Sequence, residues 1–171
     1  NRVDGPLELI SSDLDAKFRE VVDYNLDSIE PQIATPPTPD CVVNISEVLG
    51  KKVHHAFIGS CAAPTLSDLE IAGKIIEGHK IHPDVRFIIT PGTQEVMGKA
   101  QKLGLLNLFS EAGAMITPPG CGPCAGGRIG GLASGETSIN TGTRNDYGRL
   151  GASDSEIYLG SAATVAASAI K

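Results

Sequence analysis

The chain lacks most of what a nucleic-acid, membrane or secreted protein needs. Its 14 lysines and arginines are outnumbered by 20 acidic residues, giving a formal charge of −6. Nowhere do the basic residues gather into the patch that phosphate backbones require, which argues against a nucleic-acid partner. No apolar run approaches the roughly 20 residues that span a bilayer, which argues against a membrane. The start, Asn1-Arg2-Val3-Asp4-Gly5-Pro6, has no apolar signal segment and no initiator methionine. The first absence points away from secretion, and the second to termini that are not the natural ones. The four cysteines, without secretory features, read as reduced thiols rather than a disulfide framework. The expected location is the cytoplasm.

What is present is the composition of one folded domain, 171 residues with 41% hydrophobic and 20% charged, enough to bury a core. Residues 13–30 are ambiguous: Leu14, Phe18, Val21 and Val22 have helical spacing, while Phe18, Val22 and Tyr24 suit an extended edge. Pro31, Pro36, Pro37 and Pro39 favour an extended connector. Residues 1–41 are therefore read as an extended segment and connector, and residues 42–171 as the domain proper. Val53 to Gly59 reads as a buried strand. Ser67 and Asp68 can cap the helix that follows, with Leu69, Ala72, Ile75 and Ile76 as its apolar stripe. Val85 to Thr90 is the next strand. Val96, Ala100 and Leu103 mark a helix stopping at Gly104, Leu105 to Ala112 a short one, and Ala114-Met115-Ile116 a further apolar stretch. Ala162 to Ile170 reads as a packing helix. Alternating strands and helices predict an α/β fold, a mostly parallel sheet covered on both faces in three αβα layers. Ligands of such sheets sit beyond the carboxyl ends of the strands.

Cys61 follows the first of these strands, and Cys121 and Cys124 lie in a loop dense in glycine and proline, Pro118 to Gly127. Three thiolates from two loops can hold a metal and leave one position open. A lone C-x-x-C is a weak signal. This one does not open a helix after an early strand, which disfavours a thioredoxin-like redox pair. Zinc would need a fourth ligand from Cys41, His54, His55, His79 or His82. Spacing alone leaves an iron–sulfur cluster, zinc and inert thiols open. Arg144 and Arg149, five apart around a glycine turn, suit a substrate with more than one carboxylate, since guanidinium forks pair bidentately with carboxylates. The plainer alternative is an internal ion pair. Cys41 is expected to be a buried free thiol. His54 and His55 must face opposite sides of a strand, and neither is assigned a catalytic role. His79 and His82 are expected at the surface or at a helix end, and Glu70, Glu77 and Asp84 on a solvated face.

Together, Gly59-Ser60-Cys61 with Ser67-Asp68-Leu69, Gly120-Cys121-Gly122-Pro123-Cys124, Arg144-Asn145 with Gly148-Arg149, and Tyr158-Leu159-Gly160-Ser161-Ala162 resemble the aconitase superfamily. The likeness is to the cluster-binding domain of large subunits of the isopropylmalate isomerase and homoaconitase type, and Ser12 to Ala16, Ile29-Glu30-Pro31 and Pro39-Asp40 extend it over nearly the whole chain. The resemblance implies a [4Fe-4S] cluster on Cys61, Cys121 and Cys124 with one iron open to substrate. It also implies reversible dehydration and hydration of a hydroxy di- or tricarboxylic acid. Arg144 and Arg149 match arginines that bind carboxylates or support the active site, Thr143 lies beside them, and Asn145 matches a position with an orienting role.

The chain departs from the family at Ala62, Ala63 and Pro64, where Thr-Asn-Gly is usual, and at Thr143 and Asp146, where Asn and Phe are usual. These changes bring in a dehydratase for an alkylated malate as an alternative. A zinc-stabilised binding module and an electron-transfer iron–sulfur protein stand as alternatives of other classes, although the latter usually has complete cysteine ligation. Family large subunits are more than twice as long, with catalytic histidines and acidic residues upstream and a serine base on a swivelling domain or small subunit. The resemblance therefore implies those partners, a small carboxylic acid as substrate, and inactivity of the isolated chain.

Overall fold

The computed structural model describes residues 5–6, 8–60, 63–124 and 129–170. Their strands are β1 Gln32–Ala34, β2 Val42–Asn44, β3 His55–Ile58, β4 Arg86–Ile89, β5 Met115–Ile116, β6 Thr137–Asn140 and β7 Glu156–Leu159. Their helices are α1 Leu66–Ile76, α2 Gln94–Lys102, α3 Leu105–Ala112 and α4 Ala162–Ala169. One sheet runs in the order β2-β1-β7-β6-β3-β4-β5. From β7 to β5 every pairing is parallel, while β1 is antiparallel to both β7 and β2. The α/β class and the mostly parallel sheet are those expected. The sheet begins at Gln32, inside the segment read as connector.

β3 is an inner strand, between β6 and β4, with all four residues buried, as a strand covered on both faces requires. α1 starts where the Thr65 side chain accepts from the Asp68 N–H and the Asp68 carboxylate accepts from the Thr65 N–H at 2.8 Å. Thr65 is thus the cap, and Asp68 serves as the third residue of a capping box. Leu69, Ala72, Gly73 and Ile76 form its buried face. A Cβ on Gly73 would lie 2.8 Å from Leu105 Cδ2, so the missing side chain is what lets α3 approach α1.

All four helices cover one face. Ala56, Ile58, Phe87, Ile89, Ile139 and Tyr158 from the sheet share a core with Leu69, Ile76, Ala100, Phe109, Val165 and Ala166. Each large side chain buried there contributes about 1.5–3 kcal/mol, which makes this layer the main support of the fold. On the other face Phe57 and Ile88 pack with Cys124, and Ile157 packs with Leu132 and Leu150. Its cover is made of the loops between β5 and β6 and between β6 and β7. The chain steps outward from β3 to β4 and β5, then returns to β6 and β7 on the other side of β3. Parallel crossovers keep one hand, so reversing the direction of travel moves the connections to the opposite face. The cysteine and arginine loops lie there for that reason.

Residues 13–30 form no α-helix. Their only regular element is a 3₁₀ turn, Leu26–Ser28, and Leu14, Phe18, Val21, Val22 and Tyr24 are all exposed.

Candidate functional site

The loops that follow β3, β4, β5 and β6 meet at the carboxyl edge of the sheet. The Thr141 hydroxyl joins the first to the last: its Oγ1 accepts from the Gly59 N–H at 2.9 Å and donates to the Gly59 carbonyl at 2.9 Å. The Thr141 N–H also reaches the Phe57 carbonyl at 3.1 Å. Ser60, the next residue, is fully buried and holds a φ of +114°, the one positive φ outside glycine among the described residues. Backbone strain of this kind gathers at functional sites and costs about 1–3 kcal/mol. It stands immediately before Cys61 in the chain, and Cys61 itself lies outside the described residues.

The cysteine loop is pressed onto the same edge. The Gly120 N–H donates to the Pro91 carbonyl at 3.3 Å, and the Cys124 N–H to the Cys121 carbonyl at 3.1 Å. Beneath it the Thr90 and Thr117 hydroxyls share a hydrogen bond of 2.6 Å. Cys124 is buried against Phe57 and Ile88, whereas Cys121 is exposed. A Cβ on Gly142 would lie 3.8 Å from Cys124 Sγ, so the turn after β6 runs directly beside the thiol.

The two arginines separate. Arg149 Nη2 lies 4.0 Å from Cys124 Sγ, and its buried Nε has no hydrogen-bond partner. Arg144 is exposed and faces Asp146 Oδ2 at 3.9 Å, close to the internal ion pair of the plainer reading. Such an exposed contact contributes little. Thr143 is also exposed. Asn145 is completely buried. Its Nδ2 donates to the carbonyls of Thr35 at 2.7 Å and Thr38 at 3.3 Å, which ties the arginine loop to the turn between β1 and β2.

The fit of a metal group can be judged from these donors. The described part of the site offers two soft thiols beside a guanidinium, a set suited to iron–sulfur or zinc chemistry. Among the described residues no three metal-ligating side chains gather; Cys61 is not one of those residues. The four histidines are not at this edge. His54 Nδ1 accepts from the Thr137 N–H at the amino end of β6. His55 is buried with its Nδ1 2.9 Å from Ser138 Oγ. His79 and His82 are exposed on the connection from α1 to β4. The expectation for Cys41 is corrected: it is exposed, in the turn after β1, with its sulfur 3.5 Å from Thr38 Oγ1. A thiol there meets solvent because the turn packs on its backbone carbonyls, not on its side chains.

A cavity of about 890 Å³ lies elsewhere, at the amino edge, with walls that include Ile33, Val48, Val53, Tyr158 and Ala167. Its lining is mostly aliphatic and includes no member of the cysteine or arginine set. Proximity to the thiols and arginine is therefore a better guide to chemistry than cavity size.

Thr141, the Thr90–Thr117 pair and Gly142 shape this edge, and sequence reasoning assigned them no role. A threonine or glycine directly after β3, β4, β5 and β6 was the available signal.

The sequence matches the aconitase family (aconitate hydratase) over residues 3–171. It is 47% identical over 163 residues to the 3-isopropylmalate dehydratase large subunit of Caldanaerobacter subterraneus subsp. tengcongensis, covering 95% of this chain and 39% of that protein. To the 3-isopropylmalate dehydratase large subunit 1 of Methanopyrus kandleri it is 44% identical, covering 95% of this chain and 39% of the other. With the protein of the same name from Pyrococcus furiosus the identity is 47%, with 95% and 39% covered. The chain thus spans about two fifths of the length of these curated relatives.

Proposed function

Because the chain belongs to the aconitase family, we propose that it is the cluster-bearing part of a hydro-lyase acting on 3-isopropylmalate, with a [4Fe-4S] cluster on Cys61, Cys121 and Cys124. What supports the reading most is the guanidinium of Arg149 beside the buried thiol of Cys124, at the sheet edge where α/β proteins bind ligands. When bound, the cluster supplies a Lewis-acidic iron with a free position for the substrate's hydroxyl and carboxylate.

The chain's own residues do the rest of the binding. Arg149 places a fixed positive charge at the cluster, and Arg144 and Thr143, on the exposed rim, take a carboxylate that arrives from solvent. Asn145 orients the loop that carries them from beneath. The base that removes the proton from the neighbouring carbon lies outside these residues, on the remaining large-subunit domains or on a swivelling small subunit, which are the partners this reading requires.

The relatives' names favour isopropylmalate over an alkylated malate. The distance of the histidines from the thiols gives no support to a zinc module, and three cysteines fall short of the ligand set of an electron-transfer cluster. No helix among the described residues is long and apolar enough to cross a membrane. We place the protein in the cytoplasm, where its thiols stay reduced. The test is EPR spectroscopy of the anaerobically reconstituted and chemically reduced chain with and without 3-isopropylmalate. A substrate-dependent change in the cluster signal is expected, and a cluster indifferent to the acid would sink the assignment of substrate.

A further inference from the structure

Arg149 carries two features on one edge of its guanidinium. Nη2 lies 4.0 Å from Cys124 Sγ, and Nε is buried with no partner. Nε and Nη2 belong to the same side of the planar fork, so their N–H bonds point in nearly the same direction. The unmet donor therefore faces the space next to Cys124 Sγ. Buried N–H groups are seldom left without an acceptor, and thiolate and sulfide sulfurs are acceptors. The backbone that carries the fork is fixed on both sides. The Arg149 N–H donates to the Asp146 carbonyl at 3.2 Å, closing a turn in which Gly148 has a φ of +75°, and Leu150 is buried. Arg144 shares none of this, being exposed beside Asp146.

We propose that the Nε/Nη2 edge of Arg149 is a sulfur-facing fork: Nη2 holds Cys124 Sγ and Nε takes a second sulfur of the cluster beside it, so that Arg149 retains the cluster before any carboxylate binds. This rests on the cluster reading above and sharpens one part of it. Arg149 is a positioning residue for a ligand sulfur, and the task of meeting the substrate falls to Arg144 and Thr143. Partners that orient a metal ligand are worth about 10- to 100-fold in metal affinity, and hydrogen bonds and charge at the sulfurs set the reduction potential. Lysine keeps the charge and loses the fork; glutamine loses both.

The experiment compares the wild-type chain with Arg149→Lys and Arg149→Gln, each reconstituted anaerobically without substrate. Iron release to a chelator is followed by absorption, the potential by redox titration, and folding by circular dichroism. Iron release is expected to be about tenfold faster in Arg149→Lys and faster still in Arg149→Gln, with the potential of Arg149→Gln shifted negative because a neighbouring positive charge is gone. If Arg149→Gln does not fold, the lysine variant decides alone. Wild-type rates and potentials in the folded variants would overturn the fork. A wild-type chain that takes up no iron would overturn the cluster reading itself, a failure visible before any variant is made.

Discussion

Gly122 shows how tightly the cysteine loop is fitted to the sheet. It has a φ of +52°, and a Cβ there would run into Thr90 Oγ1 and sit 3.1 Å from the Phe57 ring. Gly135 has a similar φ of +72° with nothing within 4 Å. Alanine at Gly135 is expected to cost only the left-handed backbone penalty, about 1–2 kcal/mol. At Gly122 the clash adds about 1–3 kcal/mol more, and iron loading should fall with it. Thermal melts of the two variants, with iron analysis, check the difference. His55 gives a second test at this scale. Burial, reinforced by the positive charge of Arg86, lowers its pKa from 6.5 to about 4. Above pH 6.5 the imidazole is neutral in both states. Between pH 6.5 and 4 the unfolded chain takes a proton that the folded chain refuses, so stability falls as pH is lowered, by about 3 kcal/mol over the window. Denaturant unfolding at several pH values should show this slope in the wild type and lose it in His55→Gln. Below pH 4.5 a further loss follows from Glu136, whose pKa the Arg86 hydrogen bonds hold down at about 2.

At the scale of elements, α3 was legible to the residue, Leu105–Ala112, because glycines bound it on both sides and its apolar spacing is strong. The strands β3 and β4 were legible as apolar runs, and the cysteine loop as a spacing pattern. β6 was not. Thr137-Ser138-Ile139-Asn140 is polar by composition yet buried at every residue, since Ser138 meets His55 and the Asn140 side-chain oxygen Oδ1 accepts from the Gly142 N–H at 2.8 Å. β1 and β2 were hidden as well: three residues each, among prolines, with β1 ordered by long-range pairing with β7 and β2 by pairing with β1. The link between those strands and the site was also beyond the sequence, because it consists of one amide, Asn145, on the carbonyls of Thr35 and Thr38. Asn145→Ala should cost about 1–3 kcal/mol, as a fully buried amide and its hydrogen bonds to the Thr35 and Thr38 carbonyls are lost. Hydrogen exchange should quicken in 35–41 and 143–149 together. Faster exchange in only one of the two segments would contradict the tie.

At the scale of the whole molecule, the segment before β1 carries the longest series of exposed apolar side chains among the described residues. Leu9, Ile10, Leu14, Phe18, Val21 and Tyr24 are exposed, and the curated relatives are about two and a half times longer than this chain. A row of exposed apolar residues on one arm is a surface made for contact. The reconstituted chain alone should therefore bind metal but not hydrate a cis-dicarboxylate such as citraconate. Appreciable turnover in a spectrophotometric assay would show that the proton-transfer groups are present here after all. The proposed cluster rests on three cysteines. Metal and sulfide analysis after anaerobic reconstitution tests it most directly, on the wild type and on Cys61→Ser, Cys121→Ser and Cys124→Ser. Iron and sulfide in equal amounts in the wild type, lost in each variant, is the predicted result; stoichiometric zinc without iron, or iron retained when any of the three is replaced, would contradict it.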